Sequence, residues 1–258
     1  MKTILNKVPQ ITLIFWIIKI MATTVGETAA DFLSETLKLG LSITSFVMGG
    51  LLIILLIIQV KADKYIPSLY WAVVVFLSVV GTLISDNLVD NLGISLLTTT
   101  IIFGAALAVV FVWWYLSERT LSVHTILTTR RELFYWAAIL FTFSLGTSAG
   151  DLIAESSGLG YAYAAILFMG VIALVYLAYK FLHLNAILAF WIAYIFTRPL
   201  GASLGDLLSQ DRKDGGMELG TTVTSASFLI IILILVIYES RATNKAQTEP
   251  TVTDQKYI

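Results

Sequence analysis

The chain has 258 residues, of which 58% are hydrophobic and 13% charged, with a formal net charge of −1 and no cysteine. A soluble domain of this length carries roughly a quarter charged residues, so this composition, with a mean hydropathy of +0.88, excludes an ordinary soluble globule. The near-zero charge excludes a basic field for nucleic acid, and a chain without cysteine has no disulfide and no thiolate metal site.

Apolar runs predict eight spanning helices in chain order, at approximately residues 11–33, 41–60, 68–88, 94–116, 133–152, 159–179, 185–208 and 220–238. About 20 apolar residues cross the hydrocarbon layer as a helix, and neither Leu41 to Val60 nor Gly93 to Ser117 contains a charge. The runs are continuous rather than alternating, which excludes a barrel. Helices then satisfy the backbone in lipid. The first run resembles a secretory signal, with lysines, then apolar residues, then small ones. Lys19 interrupts it, however, and it carries a complete copy of the repeat described below. The expectation is one transmembrane domain over 1–240 and a polar, disordered cytoplasmic tail over 241–258.

The connectors set the direction. Lys2, Lys7, Lys61, Lys64, Arg119, Arg130, Arg131, Lys180, Arg241, Lys245 and Lys256 fall on one side of the membrane. Only Lys38, Arg212 and Lys213 fall on the other, while Lys19 and Arg198 lie inside spans. The positive side is cytoplasmic, so both termini are expected inside.

An internal repeat runs through the odd-numbered spans. Trp16, Trp71, Trp136 and Trp191 are each followed ten residues later by a glycine: Gly26, Gly81, Gly146 and Gly201. Four residues on comes a small residue (Ala30, Ser85, Gly150, Gly205), and directly after it an aspartate: Asp31, Asp86, Asp151 and Asp206. Four beyond that stand Glu35, Asp90, Glu155 and Gln210. An aromatic residue precedes every tryptophan. The repeats cover approximately 8–61, 62–117, 128–180 and 183–239. Each holds two spans, so all copies point the same way and are related by an axis along the membrane normal. The predicted fold is therefore an all-α integral membrane protein of eight transmembrane helices, arranged as four parallel tandem helical hairpins with pseudo-symmetry about that normal. The aspartates should lie at one depth, about 22 Å from the tryptophans at 1.5 Å per residue.

On these tryptophans and their glycine–aspartate partners, the chain resembles the bacterial membrane proteins built from four tandem copies of a two-span repeat of unknown function. The resemblance covers about residues 8–240. It implies an eight-span, multi-pass protein of the bacterial inner membrane and no settled activity.

The small-x3-small spacing lets helix backbones approach closely in lipid, so the glycines read as packing residues and the tryptophans as packing or interfacial anchors. The aspartates admit two readings. Each either ends its helix near the outer interface or lines a polar path, since ionisable residues within spans usually face an interior. Asp31/Glu35, Asp86/Asp90 and Asp151/Glu155 share helix faces as like charges, which suits the binding of a cation or a shared proton. Oxygen donors without sulfur or imidazole suit hard cations.

The copies also differ. The first span adds Lys19 and Glu27, and the seventh adds Arg198 and Pro199, where the other copies have Thr23, Ser78 or Phe143 at the arginine position. Arg198 needs an acidic partner, with Glu27 and the aspartates available. Pro199 frees a carbonyl one turn earlier, as in broken transporter helices. Neither the common hydrolase and nucleotide signatures nor a metalloprotease motif occurs, so no enzyme and no cofactor are expected. The expected partners are the lipid bilayer and a small inorganic ion. The function that follows is a secondary transporter or exporter of a hard cation such as Mn²⁺ or Mg²⁺, or one coupled to H⁺. Asp31, Asp86, Asp151, Asp206 and Glu27 would form its path, with Lys19 and Arg198 tuning it. A non-transporting scaffold or accessory subunit is the alternative, and an anion transporter using Lys19 and Arg198 a further one.

Overall fold

The structure, a computed structural model, describes residues 6–248. Lys2, Lys256 and the tail beyond Thr248 lie outside the described residues. Among the described residues, eight α-helices carry the fold: α1 (Leu13–Asp31), α2 (Leu41–Lys61), α3 (Pro67–Asp86), α4 (Leu96–Glu118), α5 (Thr129–Asp151), α6 (Tyr161–Phe181), α7 (Ala186–Ser209) and α8 (Thr221–Thr248). All eight are long and apolar enough to cross a membrane, and no strand occurs among the described residues.

Local chemistry sets the helix starts. Thr12, Ser95, Thr128 and Asn185 cap α1, α4, α5 and α7, each accepting a backbone N–H of the first turn through its side-chain oxygen. α3 begins on Pro67, whose missing donor costs nothing at a helix start. The chain enters α2 and α6 through Gly40 at φ 74° and Gly160 at φ 80°, a region that strains a residue with a Cβ.

The ends of the odd helices differ from a simple stop. After Asp31, Asp86 and Asp151 the helix widens into a five-residue π turn: Phe32–Thr36, Asn87–Asn91 and Leu152–Ser156. α7 instead continues past Asp206 as ordinary α-helix to Ser209. Pro199 does not break α7. Its ring is received by the glycine pair of α5, where a Cβ on Gly150 would stand 3.5 Å from the Pro199 Cβ.

Packing follows the repeat order. α1 packs on α3, α3 on α5, α5 on α7, and α7 back on α1. α2 leans on α3, α4 on α5, α6 on α7 and α8 on α1, so the second helix of each copy leans on the first helix of the next. The spanning stretches of the inner four are 56–67% buried and those of the outer four 11–22%. Uniformly apolar outer helices therefore leave residues such as Phe46, Ile101, Ile166 and Ile230 exposed.

Side chains repeat the same cycle. The Phe15 ring lies 5.6 Å from Trp71, Tyr70 5.4 Å from Trp136, Tyr135 6.2 Å from Trp191, and Phe190 5.7 Å from Trp16. The motif glycines mark the closest helix approaches. A Cβ would overlap Ser78 if built on Gly26, Arg198 if built on Gly146 and Thr23 if built on Gly201, and on Gly81 it would fall 2.7 Å from the Phe143 Cβ. Those four neighbours are the aligned residues of the next copy.

α8 runs to Thr248, past residue 240, where the transmembrane domain is expected to end. The helical pattern continues there because RATNKAQ contains neither glycine nor proline to stop it.

Candidate functional site

Residues four apart stand on one helix face, and each inner helix presents such a column. On α1 it is Phe15, Lys19, Thr23, Glu27 and Asp31. α3 gives Tyr70, Val74, Ser78, Thr82 and Asp86; α5 gives Tyr135, Ile139, Phe143, Thr147 and Asp151. α7 gives Phe190, Tyr194, Arg198, Ala202 and Asp206. Every member is buried except Asp31, Asp86 and Asp151, which are half-buried.

The centre of these columns is Arg198, which is fully buried. Its Nη1 donates to the Thr23 carbonyl at 2.8 Å and its Nε to the Phe143 carbonyl at 3.3 Å. Nη2 donates to Glu27 Oε2 at 2.7 Å, to Thr147 Oγ1 at 2.7 Å, and to Thr82 Oγ1. One guanidinium from α7 thus ties together α1, α3 and α5. Leaving a buried charge without partners costs far more than an ordinary polar group, and here every face of the fork is used.

Next to this pair the acids converge. One carboxylate oxygen each from Glu27, Asp151 and Asp206 lies within 4.8 Å of the others. Oxygens sharing one Ca²⁺ at 2.3–2.6 Å stand at most about 5 Å apart, so three helices supply a donor set of the right span for a hard cation. Asp31 and Asp86 stand outside this triangle but within electrostatic reach of Glu27. Asp151 and Asp206 thus join Glu27 in one acidic cluster, the acidic cup, beside Arg198, with Asp31 and Asp86 at its margin.

The second acids of the repeat behave differently. Glu35, Asp90 and Glu155 fall on the π turns and are exposed, which separates them from the buried face. Glu155 accepts the Tyr161 hydroxyl at 3.0 Å.

Away from the cup, the axis fills. Lys19 Nζ donates to Thr197 Oγ1 at 3.2 Å and lies 4.3 Å and 4.2 Å from the Phe143 and Tyr194 ring centroids. Beyond it the Tyr70 and Tyr135 hydroxyls meet at 2.5 Å. At that end Glu239 of α8 accepts from the Tyr65 hydroxyl at 2.7 Å and the Trp71 indole at 2.8 Å. Burial first, and then the neighbouring Glu239 carboxylate, push the Tyr65 phenol above its usual range, which keeps it a donor. A second buried pair, Lys7 Nζ to Glu132 Oε2 at 2.8 Å, ties the segment before α1 to α5, with Gln59 donating to the same carboxylate at 3.1 Å.

The sequence does not single out Thr82, Thr147 or the Phe143 carbonyl as partners of Arg198, although Thr82 and Thr147 occupy the repeat position of Glu27. Trp71, Trp136 and Trp191 are buried, while Trp16 is half-buried.

With this geometry in view, the relationship of the chain is plain. A fourfold repeat of paired apolar helices, each copy closing on the next around buried charges, defines its class. The model of the family described as Repeat of Unknown Function (DUF347) matches residues 14–65, 69–120, 134–184 and 189–244, and the chain belongs to that family. No curated protein and no solved structure matches it.

Proposed function

We propose that the protein is a secondary transporter of a small hard cation, held in the inner membrane as four hairpins around an axis along the membrane normal. The closed circuit of inner helices supports that arrangement, and the excess of Lys and Arg on one set of connectors supports termini on the cytoplasmic side. A single observation carries the transport reading: Glu27, Asp151 and Asp206, from three different helices, bring their carboxylates together within 4.8 Å beside a buried arginine.

In this reading Glu27 is the switch. Arg198 neutralises it when the cup is empty. A divalent cation entering between Glu27, Asp151 and Asp206 competes for the same oxygens and weakens the arginine's hold. The other donors of Arg198 reach backbone and hydroxyl groups on α1, α3 and α5. Release of one bond therefore bears on how the four inner helices sit against one another, which is what alternating access requires. The π turns beside three of the aspartates are local irregularities of the kind often found at working sites.

A non-transporting scaffold is the second reading. It is favoured by the filled axis below Arg198, where aromatic side chains close the bundle. An anion route has less support, because the donors of Arg198 are already taken by protein groups.

The test is flux. Purified protein in proteoliposomes, under an imposed pH gradient, is expected to move at least one of Mn²⁺, Mg²⁺ and Ca²⁺, and Asp151→Asn and Asp206→Asn to abolish that movement. Wild-type protein that moves none of them, or variants that move them equally well, overturns the reading.

A further inference from the structure

Lys19 is the second cation on the axis and has no part in the scheme above. Its side chain is fully buried. No ion pair among the described residues includes it. It is held by one hydroxyl, Thr197 Oγ1, and by the faces of Phe143 and Tyr194. Thr197 spends its own proton on the Tyr194 carbonyl at 2.7 Å, so it meets Lys19 as an acceptor. These contacts do not demand a charge. An amine donates to Thr197 as an ammonium does, and the rings receive either form.

The groups around Lys19 are few. α7 supplies Arg198, whose charge bears on it, and Tyr194. α5 supplies Phe143, with Tyr135 nearer the aromatic end, and α3 supplies Tyr70 at that same end. Along α1, Glu27 stands two turns away and bonds to Arg198. The titratable residues of α8 up to residue 243, Tyr238, Glu239 and Arg241, belong to the end where Glu239 holds Tyr65 and Trp71. Arginine stays charged in proteins, whereas lysine exchanges its proton in buried sites. Of the two axial cations, Lys19 is therefore the one whose charge can change.

We infer that Lys19 is the proton-exchanging partner of the acidic cup, ammonium when the cup is empty and amine when it holds a cation. This rests on the cation-transport reading. Charge balance gives the step. A divalent cation joins Glu27, Asp151 and Asp206, Arg198 turns its field more fully on Lys19, and one proton leaves Nζ while the nitrogen keeps the electron pair. The Tyr194 ring that Nζ faces and, beyond it, the bonded Tyr135 and Tyr70 hydroxyls lie on the side away from the cup and mark the direction in which the proton leaves. When the cation leaves, the amine takes a proton back. Cation and proton occupy opposite halves of the axis and exclude one another, which is the requirement for exchange.

The experiment titrates Mn²⁺ into the purified full-length protein in weakly buffered detergent, with a pH indicator reporting protons released per cation bound. Cation binding releases protons from whichever groups it displaces them from. Lys19→Arg keeps a fixed charge over the same rings and Lys19→Met has none, so each is expected to release about one proton fewer per Mn²⁺ than wild type. Either variant, once its melting temperature shows it folded, decides the matter. Equal release from wild type and variant overturns the role of Lys19 and leaves the cup intact. Where Mn²⁺ does not bind, Mg²⁺ and Ca²⁺ are titrated in its place, and wild-type protein that binds none of the three overturns the metal-cation reading, and this inference with it.

Discussion

The two ends of the inner helices are built on different rules. At the aromatic end every copy does the same thing: its aromatic residue meets the tryptophan of the next copy, and Phe190 closes the cycle on Trp16. At the acidic end the copies agree only on the aspartate. Glu27 stands where the other copies have Thr82, Thr147 and Ala202, Arg198 stands where they have Thr23, Ser78 and Phe143, and the hydrogen bonds converge on the single guanidinium. The repeat builds the bundle, and departures from the repeat build the chemistry. Variants that break one end without the other separate these contributions.

The largest effect belongs to Arg198. Arg198→Met leaves the Glu27 carboxylate buried without its cation and removes donors to three other helices. Breaking a buried pair on one side costs about 3–5 kcal/mol, and a loss of that size is expected in unfolding from detergent. Adding Glu27→Gln should restore part of it, because the stranded charge is gone. If the double variant is as unstable as the single one, the pair is not what holds the acidic end together.

A smaller effect tests close approach. Gly81→Val puts a side chain against Phe143 of α5, where even a Cβ falls at 2.7 Å. Overpacking of this kind costs about 1–3 kcal/mol. Gly49→Val on α2, with nothing within 4 Å of its Cβ, is expected to leave the melting temperature unchanged. Equal behaviour of the two would deny that the inner contacts differ from the outer ones.

Most of this architecture was legible in the sequence because it repeats. The tryptophans, glycines and aspartates share one frame, and apolar length fixes the number of helices. The partners of Arg198 were harder to read, for a physical reason. Two of its acceptors are backbone carbonyls, of Thr23 and Phe143, and carbonyls carry no residue signature. The π turns were not legible either, since no residue type demands them. They decide that Glu35, Asp90 and Glu155 leave the buried face on which their spacing alone would have stacked them. The continuation of α8 to Thr248 is hard to read because the composition of residues 241–248 is polar, although nothing in that segment stops a helix.

The smallest effect tests whether the aromatic end carries polar chemistry of its own. Tyr70 and Tyr135 share one hydrogen bond at 2.5 Å between fully buried hydroxyls. Tyr135→Phe deletes that bond while keeping the ring against Trp191. A buried neutral hydrogen bond contributes about 0.5–1.5 kcal/mol net, so the variant should lose about that much stability and no more. Tyr70→Phe should lose a similar amount, and the double variant little beyond either single one, since only one bond exists to remove. Strict additivity of the two losses would mean that the hydroxyls act through separate partners. The aromatic end would then be a polar thread in its own right, and the division between a symmetric scaffold and an asymmetric site would have to move down the axis.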